Sequence, residues 1–295
     1  MKMIKWLLVA AILLILAGGL IFLIGLSLNG WKLTSSYTTK DGLYVEEAGK
    51  EIYKIELDVT NEDVKVEYGD VFTVKYQDVY CKDDTLYRAI IFENEGGVLK
   101  IDALQIKHWM LFPFGYPDVN ITITIPHGRA CELDLKSTNG DFDIIGESGE
   151  RLESCYLKNV NGDVSLKNVE AKSLTRISTN GDTAFWGEIR ADKIEIECVN
   201  GEITLENGNI YTQLLKIETT NGEIELNDGT VHSDSITLET TNGEIDIKVF
   251  GKREDYTVEL DTANGDYNVF PGGNGTKQLN IETTNGDIAV RFTEG

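Results

Sequence analysis

Carboxylates are the residues in this chain whose spacing could do chemistry, and they recur by rule. An acid follows an Asn-Gly pair eight times, at Asp141, Asp163, Asp182, Glu202, Glu223, Glu244, Asp266 and Asp287. The paired asparagines are Asn139, Asn161, Asn180, Asn200, Asn221, Asn242, Asn264 and Asn285, separated by 22, 19, 20, 21, 21, 22 and 21 residues. A second, partial acid column stands three residues before the Asn, at Glu197, Glu218, Glu239, Asp261 and Glu282, with Lys136 and Lys158 in its first two places. Carboxylates lined along one edge are hard oxygen ligands, suited to divalent cations or to a polycationic partner. One carboxylate per repeat falls short of the about 6–8 oxygens that calcium takes. A solvated acidic edge that keeps a repetitive β protein soluble and deters lateral pairing explains the same column. No metal or cofactor is therefore assigned, and the acidic edge stands as the candidate binding feature.

Catalysis asks for acids and bases converging on one point. Here the acids are spread one per repeat, the three His residues (His108, His127, His232) are scattered, and no G-x-S-x-G, HExxH or P-loop sequence is present. The expectation is a protein that is not an enzyme, with a β-helix enzyme acting on polysaccharide as a remote alternative.

The residues around each Asn say what must position the acids. Six before it stand Leu133, Cys155, Leu174, Ile194, Leu215, Ile236, Val258 and Leu279; four before it the column is apolar except for Arg176, where neighbouring Ile177 suggests a one-residue slip. Three and five after it the columns are again mostly apolar, with Ile203, Ile224 and Ile245, then Leu205, Leu226 and Ile247. Polar residues alternate between them, which is the period of two short strands per repeat with one buried face. A second turn follows, at Asn207-Gly208, Asp228-Gly229 and Pro271-Gly272-Gly273. A hairpin meander and a parallel solenoid both satisfy this alternation. The near-constant period favours the solenoid, because coils must keep register, and stacked Asn side chains can bond along a column. Gly is expected to supply a left-handed corner, and the coil hand to be right-handed. The fold class expected is all-β: a right-handed parallel β-helix or solenoid of about 21-residue coils with an irregular β cap, preceded by one N-terminal transmembrane helix.

Residues 6–28 carry no charge over 23 positions. As a helix they reach about 34 Å, enough to cross a hydrocarbon core. Lys2 and Lys5 precede them without an acid, so 1–5 is expected in the cytoplasm and the remainder outside a bacterial membrane. The run is too long for a signal peptide and lacks a cleavage site, which favours an uncleaved signal-anchor. A polar juxtamembrane linker is expected over 29–50, a β-rich irregular start and cap over 51–130, and regular coils over 131–295. The weak copy around Asn61, with Asp63 in the acid place and Glu62 replacing Gly, belongs to the start. The aromatic stretch 108–117 reads as the cap over the open end. Cys155 and Cys198 fall in different columns two coils apart and are not expected to pair, whereas a Cys81–Cys131 bridge stays open. A net charge of −22 disfavours nucleic acid and anionic headgroups as partners.

Two segments resemble a known family. NITITIPHGRACELDLKSTNGDFDI at 120–144 resembles the start of the repeat in the bacterial DUF4097 family of adhesin-like proteins, and IYKIELDVTNEDVKVEYGDVFTVKY at 52–76 is similar to its N-terminal segment. The apolar segment ending in LSLNGWKLTS resembles that of membrane-anchored members. The resemblance implies a β-solenoid outside the bacterial membrane and no catalytic residue. The functional expectation is non-catalytic: a membrane-anchored surface protein binding an envelope or surface ligand. The alternative is a regulatory or sensing part of a cell-envelope stress system. Self-association through the open solenoid end is a third expectation, because little sequence follows the last column.

Overall fold

The computed structural model describes residues 17–24, 27, 37–81, 84–106 and 117–293. Of the expected membrane span 6–28, residues 17–24 and 27 are described, as helix, and the others lie outside the described residues. No helix among the described residues is long and apolar enough to cross a membrane. The aromatic stretch expected to form a cap lies outside them too, apart from Pro117.

The chain divides into two compact units. The smaller takes residues 1–40, 78–89 and 105–117. In it Val79 pairs antiparallel with Arg88, and the rings of Tyr37 and Tyr87 pack 4.9 Å apart. Lys40 bonds Asp84 at 2.7 Å and lies over the ring of Tyr80.

The larger unit takes residues 41–77, 90–104 and 118–295 and contains the repeat. Each repeat is one coil, named here by its corner asparagine. The strand before the Asn pairs in parallel with its counterpart in the neighbouring coil, and so does the strand after the Gly. Leu215, for example, aligns with Ile194 on one side and Ile236 on the other, while Ile224 aligns with Ile203 and Ile245. The expected columns thus become ladders, and their apolar members are buried almost without exception. A third side is built from Val169, Ile189, Ile210, Val231 and Val249, all buried. The result is all-β, with one continuous core enclosed by stacked coils. The antiparallel pairings Thr73 to Thr124 and Val74 to Ile123 add to the parallel ladders.

Residues 37–45, within the stretch expected as a polar linker, form a strand. The weak copy around Asn61 forms a coil at 54–69 in register with the regular ones, as its apolar columns led one to expect: Ile55 aligns with Leu133 and Val64 with Phe142. One expectation is corrected. Arg176 has not slipped. It aligns with Leu157 and Ile196, points inward and is fully buried, while Ile177 takes the outward place.

Coil order departs from chain order at both ends. Strand Val98–Gln105 pairs with 54–58 on the side away from Glu132–Ser137, and Val119–Pro126 likewise lies outside Glu62–Gly69. The coil at 54–69 is therefore held between 98–102 with 119–126 on one side and 132–136 with 142–144 on the other. At the other end the Asn242 coil pairs with the Asn285 coil, not with the Asn264 coil. The last coil in sequence is inserted, and the Asn264 coil becomes outermost. Face completeness explains this. The Asn285 coil has full strands on both sides of its corner, Lys277–Asn285 and Ile288–Thr293. The Asn264 coil has one strand, Tyr256–Asn264, and beyond its corner only a bridge from Tyr267 to Ile288. A coil that can pair on two sides belongs inside; one that cannot is tolerated at the end. The loop after Tyr267 folds back, and Gly272 pairs antiparallel with Val258, with bonds of 2.9 and 2.7 Å. Arg253 ties this loop down by donating to the carbonyls of Tyr256, Phe270 and Gly272.

Candidate functional site

The acidic edge sits on the Asn-Gly corner, and the bonding of that corner positions it. Each corner asparagine donates its Nδ2–H to the Oδ1 of the asparagine in the adjacent coil, at 2.7–2.8 Å throughout. The ladder runs Asn61, Asn139, Asn161, Asn180, Asn200, Asn221, Asn242, Asn285, Asn264, which takes in Asn61 and follows the spatial order of the coils. Stacking at the strand spacing of about 4.8 Å puts each amide within reach of the next.

The glycine behind the asparagine is needed mostly for proximity. Only Gly162 and Gly181 among the eight corner glycines have a left-handed φ, at 137° and 113°. At the others, a Cβ would collide with the carbonyl of the corresponding residue one coil away, Gly222 against Gly201 and Gly243 against Gly222. The expectation of a left-handed corner thus holds for two coils, and close backbone approach accounts for the rest. The corner N–H groups of Gly181, Gly201, Gly222, Gly243 and Gly286 donate to the Asn carbonyl of the next coil at 3.0–3.2 Å. The Thr two before the Asn closes the set: Thr240 and Thr283 donate to the carbonyls of Gly222 and Gly243, both at 3.0 Å.

The acids on this corner divide by length. Asp63, Asp141, Asp163, Asp182 and Asp287 each accept the backbone N–H of the acid in the neighbouring coil, at 2.8–3.0 Å. These aspartates therefore brace the stack. Glu202, Glu223 and Glu244 are one methylene longer and stand in the middle of the edge. The carboxylates of Glu202 and Glu223, together with Glu225, gather so that one oxygen from each lies within 4.8 Å of the others, with Glu223 and Glu225 exposed and Glu202 partly buried. Burial first, then the charges of Glu225, Asp182, Glu223 and Glu206, raise the Glu202 pKa. Such a group attracts cations and supplies three of the ligands a hard cation needs. Glu244 is outside the cluster, and next to Glu225 the carboxylate of Asp246 is held by Arg291 at 2.7 and 3.0 Å. Glu225 had a legible signal, since residues two apart in a strand share a face. In the second acid column, Glu218 is paired to Lys216 at 2.7 Å.

Two features outside the acidic edge also carry charge or polarity. The guanidinium of Arg176 is sealed in the core beneath the corner. Its Nη2 donates to the carbonyls of Gly181 at 2.9 Å and Gly162 at 3.3 Å, while Nε and Nη1 have no partner. Burial lowers its pKa, opposed by Cys198, Asp163 and Asp182. On the third side Arg190, Tyr211, His232 and Phe250 stack in an outward row, with ring centroids 4.4 Å apart along Tyr211, His232 and Phe250. Burial, then Lys277 and Arg190, lower the His232 pKa. The 21-residue step from Tyr211 to His232 was visible in the sequence, but the Phe250 step is shorter and hides the row. All four cysteines are buried free thiols.

Comparison with known proteins agrees with this architecture. A crystal structure named as a putative adhesin from Parabacteroides distasonis is similar at 16% identity and TM-score 0.56, covering 87% of this chain and 98% of its own. One named as a putative lipid binding protein from the same organism has 16% identity and TM-score 0.52, covering 88% and 98%. A putative adhesin from Parabacteroides merdae has 16% identity and TM-score 0.51, covering 87% and 98%. At this identity the likeness concerns the fold. No curated protein matches the sequence. Residues 52–291, which include every corner of the ladder, match the family described as Toastrack DUF4097, and the chain belongs to that family.

Proposed function

We propose that this protein is a non-catalytic, membrane-anchored bacterial surface protein, in which a right-handed solenoid is held outside the cell by the apolar segment 6–28 and presents its outward ladders to an envelope or surface ligand. The observation that carries this reading is the use made of the repeat. The Asn of every corner bonds the neighbouring coil, and so do the Gly, and the Thr or Asp where the corner carries one, in most of them, so the repeated motif is an architectural device. What that bonding leaves free is the outward surface: the Glu202, Glu223 and Glu225 group, and the row from Arg190 to Phe250. A stack whose coils are tied together through the corner, and whose outward side chains are left free, is suited to display. Structural neighbours named as putative adhesins support the adhesin-like reading weakly, through the fold alone.

The test has two arms. Protease added to intact cells should remove an epitope placed after residue 293 and spare one placed before residue 6; the reverse pattern would sink the topology. The purified chain should retain partners from native envelope or from a glycan and matrix array, and those partners should be lost when the outward row is replaced by serine. Full retention by the serine variant would separate binding from these ladders.

A further inference from the structure

The corner is written in Asn-Gly, the dipeptide most prone to lose its side-chain amide. In that reaction the Gly backbone nitrogen attacks the Asn Cγ and loses its proton. The Cγ–Nδ2 bond breaks and ammonia leaves. Water then opens the five-membered imide to aspartate or isoaspartate. Gly favours it because no side chain hinders the nitrogen. A chain that repeats this sequence eight times would be expected to decay at its corners.

The ladder opposes each requirement. Inside the stack the Asn side chain is held at both ends, its Nδ2 donating to one neighbour and its Oδ1 accepting from the other, as at Asn221 between Asn200 and Asn242. The attacking nitrogen is held as well: the N–H of Gly222 donates to the carbonyl of Asn242 at 3.1 Å. A bonded N–H resists deprotonation, and a pinned amide cannot rotate toward it. The same double restraint holds at Asn180, Asn200, Asn242 and Asn285.

Because the Asn285 coil is inserted, the ladder ends at Asn264. Its Nδ2 donates to Asn285 at 2.8 Å, but no described coil lies beyond to donate to its Oδ1 or to accept from the N–H of Gly265. The corner is exposed. We propose that Asn264 is a deamidation site of the folded protein, and that its conversion loosens the outermost coil. The product places an acceptor against the Oδ1 of Asn285 where a donor had been, beside the carboxylates of Asp266 and Asp287. Asn274-Gly275, in the exposed loop, is an internal reference with no ladder.

The test is peptide mapping of the full-length chain, purified in detergent and incubated at mildly alkaline pH. Mass spectrometry follows the amide-to-acid mass gain at each Asn-Gly, with a denatured sample giving each site's intrinsic rate. Asn200, Asn221 and Asn242 should be slowed at least about tenfold in the folded protein, while Asn264 stays within about threefold of its denatured rate. Suppression of Asn264 equal to that of Asn221 would overturn the proposal. For the second half, Asn264→Asp should lower amide hydrogen-exchange protection over 256–264 and leave 214–242 unchanged. Undiminished protection over 256–264 would show that the conversion does not loosen the coil.

Discussion

Arg176 is the residue where the repeat is broken and the core is least content. Its coil neighbours in the same column are Leu157 and Ile196, all three buried. A buried guanidinium with no carboxylate bonded to it and two unpartnered nitrogens bears a desolvation cost that two carbonyl bonds offset only in part. Asn159 Oδ1 and Thr183 Oγ1 are also buried without partners. Asn159 donates to the same Gly162 carbonyl that Arg176 reaches, so the two side chains are neighbours. Arg176→Leu restores the apolar column and should stabilise the chain by on the order of 1–4 kcal/mol in chemical unfolding. Arg176→Ala, which leaves a void, should gain much less. A clear loss of stability in the Leu variant would mean that the guanidinium is supported better than its bonds suggest. The cysteines give a second residue-scale expectation. Burial pushes the thiols of Cys131 and Cys155 up to about 12 from the usual 9.0. The folded chain therefore holds these protons when the unfolded chain has released them. Their contribution to stability is present below pH 9.0 and is lost as pH rises toward about 12. Cys155→Val should flatten the decline of stability above pH 9.0, and in the native protein neither thiol should alkylate at pH 8 before the chain unfolds.

At the scale of the element, the corner decides whether coils stack. Gly222 is a useful probe because its requirement is spatial: a Cβ there meets the Gly201 carbonyl. Gly49 is the contrast, with φ of 82° and open space around it. Gly222→Ala should cost about 3 kcal/mol through forced separation of two coils, and Gly49→Ala about 1 kcal/mol through φ alone. Equal costs would return the corner glycine to a purely conformational role. Asn221→Ala removes two ladder bonds and should cost about 2 kcal/mol. Much of this element was legible beforehand. Alternation identified the buried columns, the constant period favoured coils over hairpins, and the repeated Asn pointed to a ladder. What the pattern could not convey was which contact each residue satisfies. Asp and Glu look equivalent after Asn-Gly, yet only the shorter side chain reaches the neighbouring N–H. Arg176 looked like a slip because inward arginine is rare, and only the register of its neighbours shows that it is not.

At the scale of the whole ladder, the order of the coils was the least legible feature, and the reason is the repeat itself. Identical columns make any coil a fair partner for any other, so alignment alone cannot tell insertion from sequential stacking. The choice falls to differences between coils: a full strand on both sides of the Asn285 corner, and only a bridge beyond the Asn264 corner. Insertion has a consequence that sequential stacking lacks. Apart from the Tyr256 hydroxyl, which donates to the Phe250 carbonyl, residues 256–264 meet the rest of the stack through the Asn285 coil, with which they align at eight positions from Tyr256 to Asn264. Nearest-neighbour contacts carry most of the stability of stacked repeats. Deleting 277–295 should therefore remove protection from amide exchange over 256–276 as well, although those residues remain in the chain. The Asn242 coil, still bonded to the Asn221 coil, should keep most of its protection over 235–242. Sequential stacking predicts the opposite, a 256–264 strand that stays protected against the Asn242 coil after the deletion. Exchange measured on the truncated chain distinguishes the two, because the same peptide is followed in both proteins and the Asn242 peptide reports independently that the stack has survived.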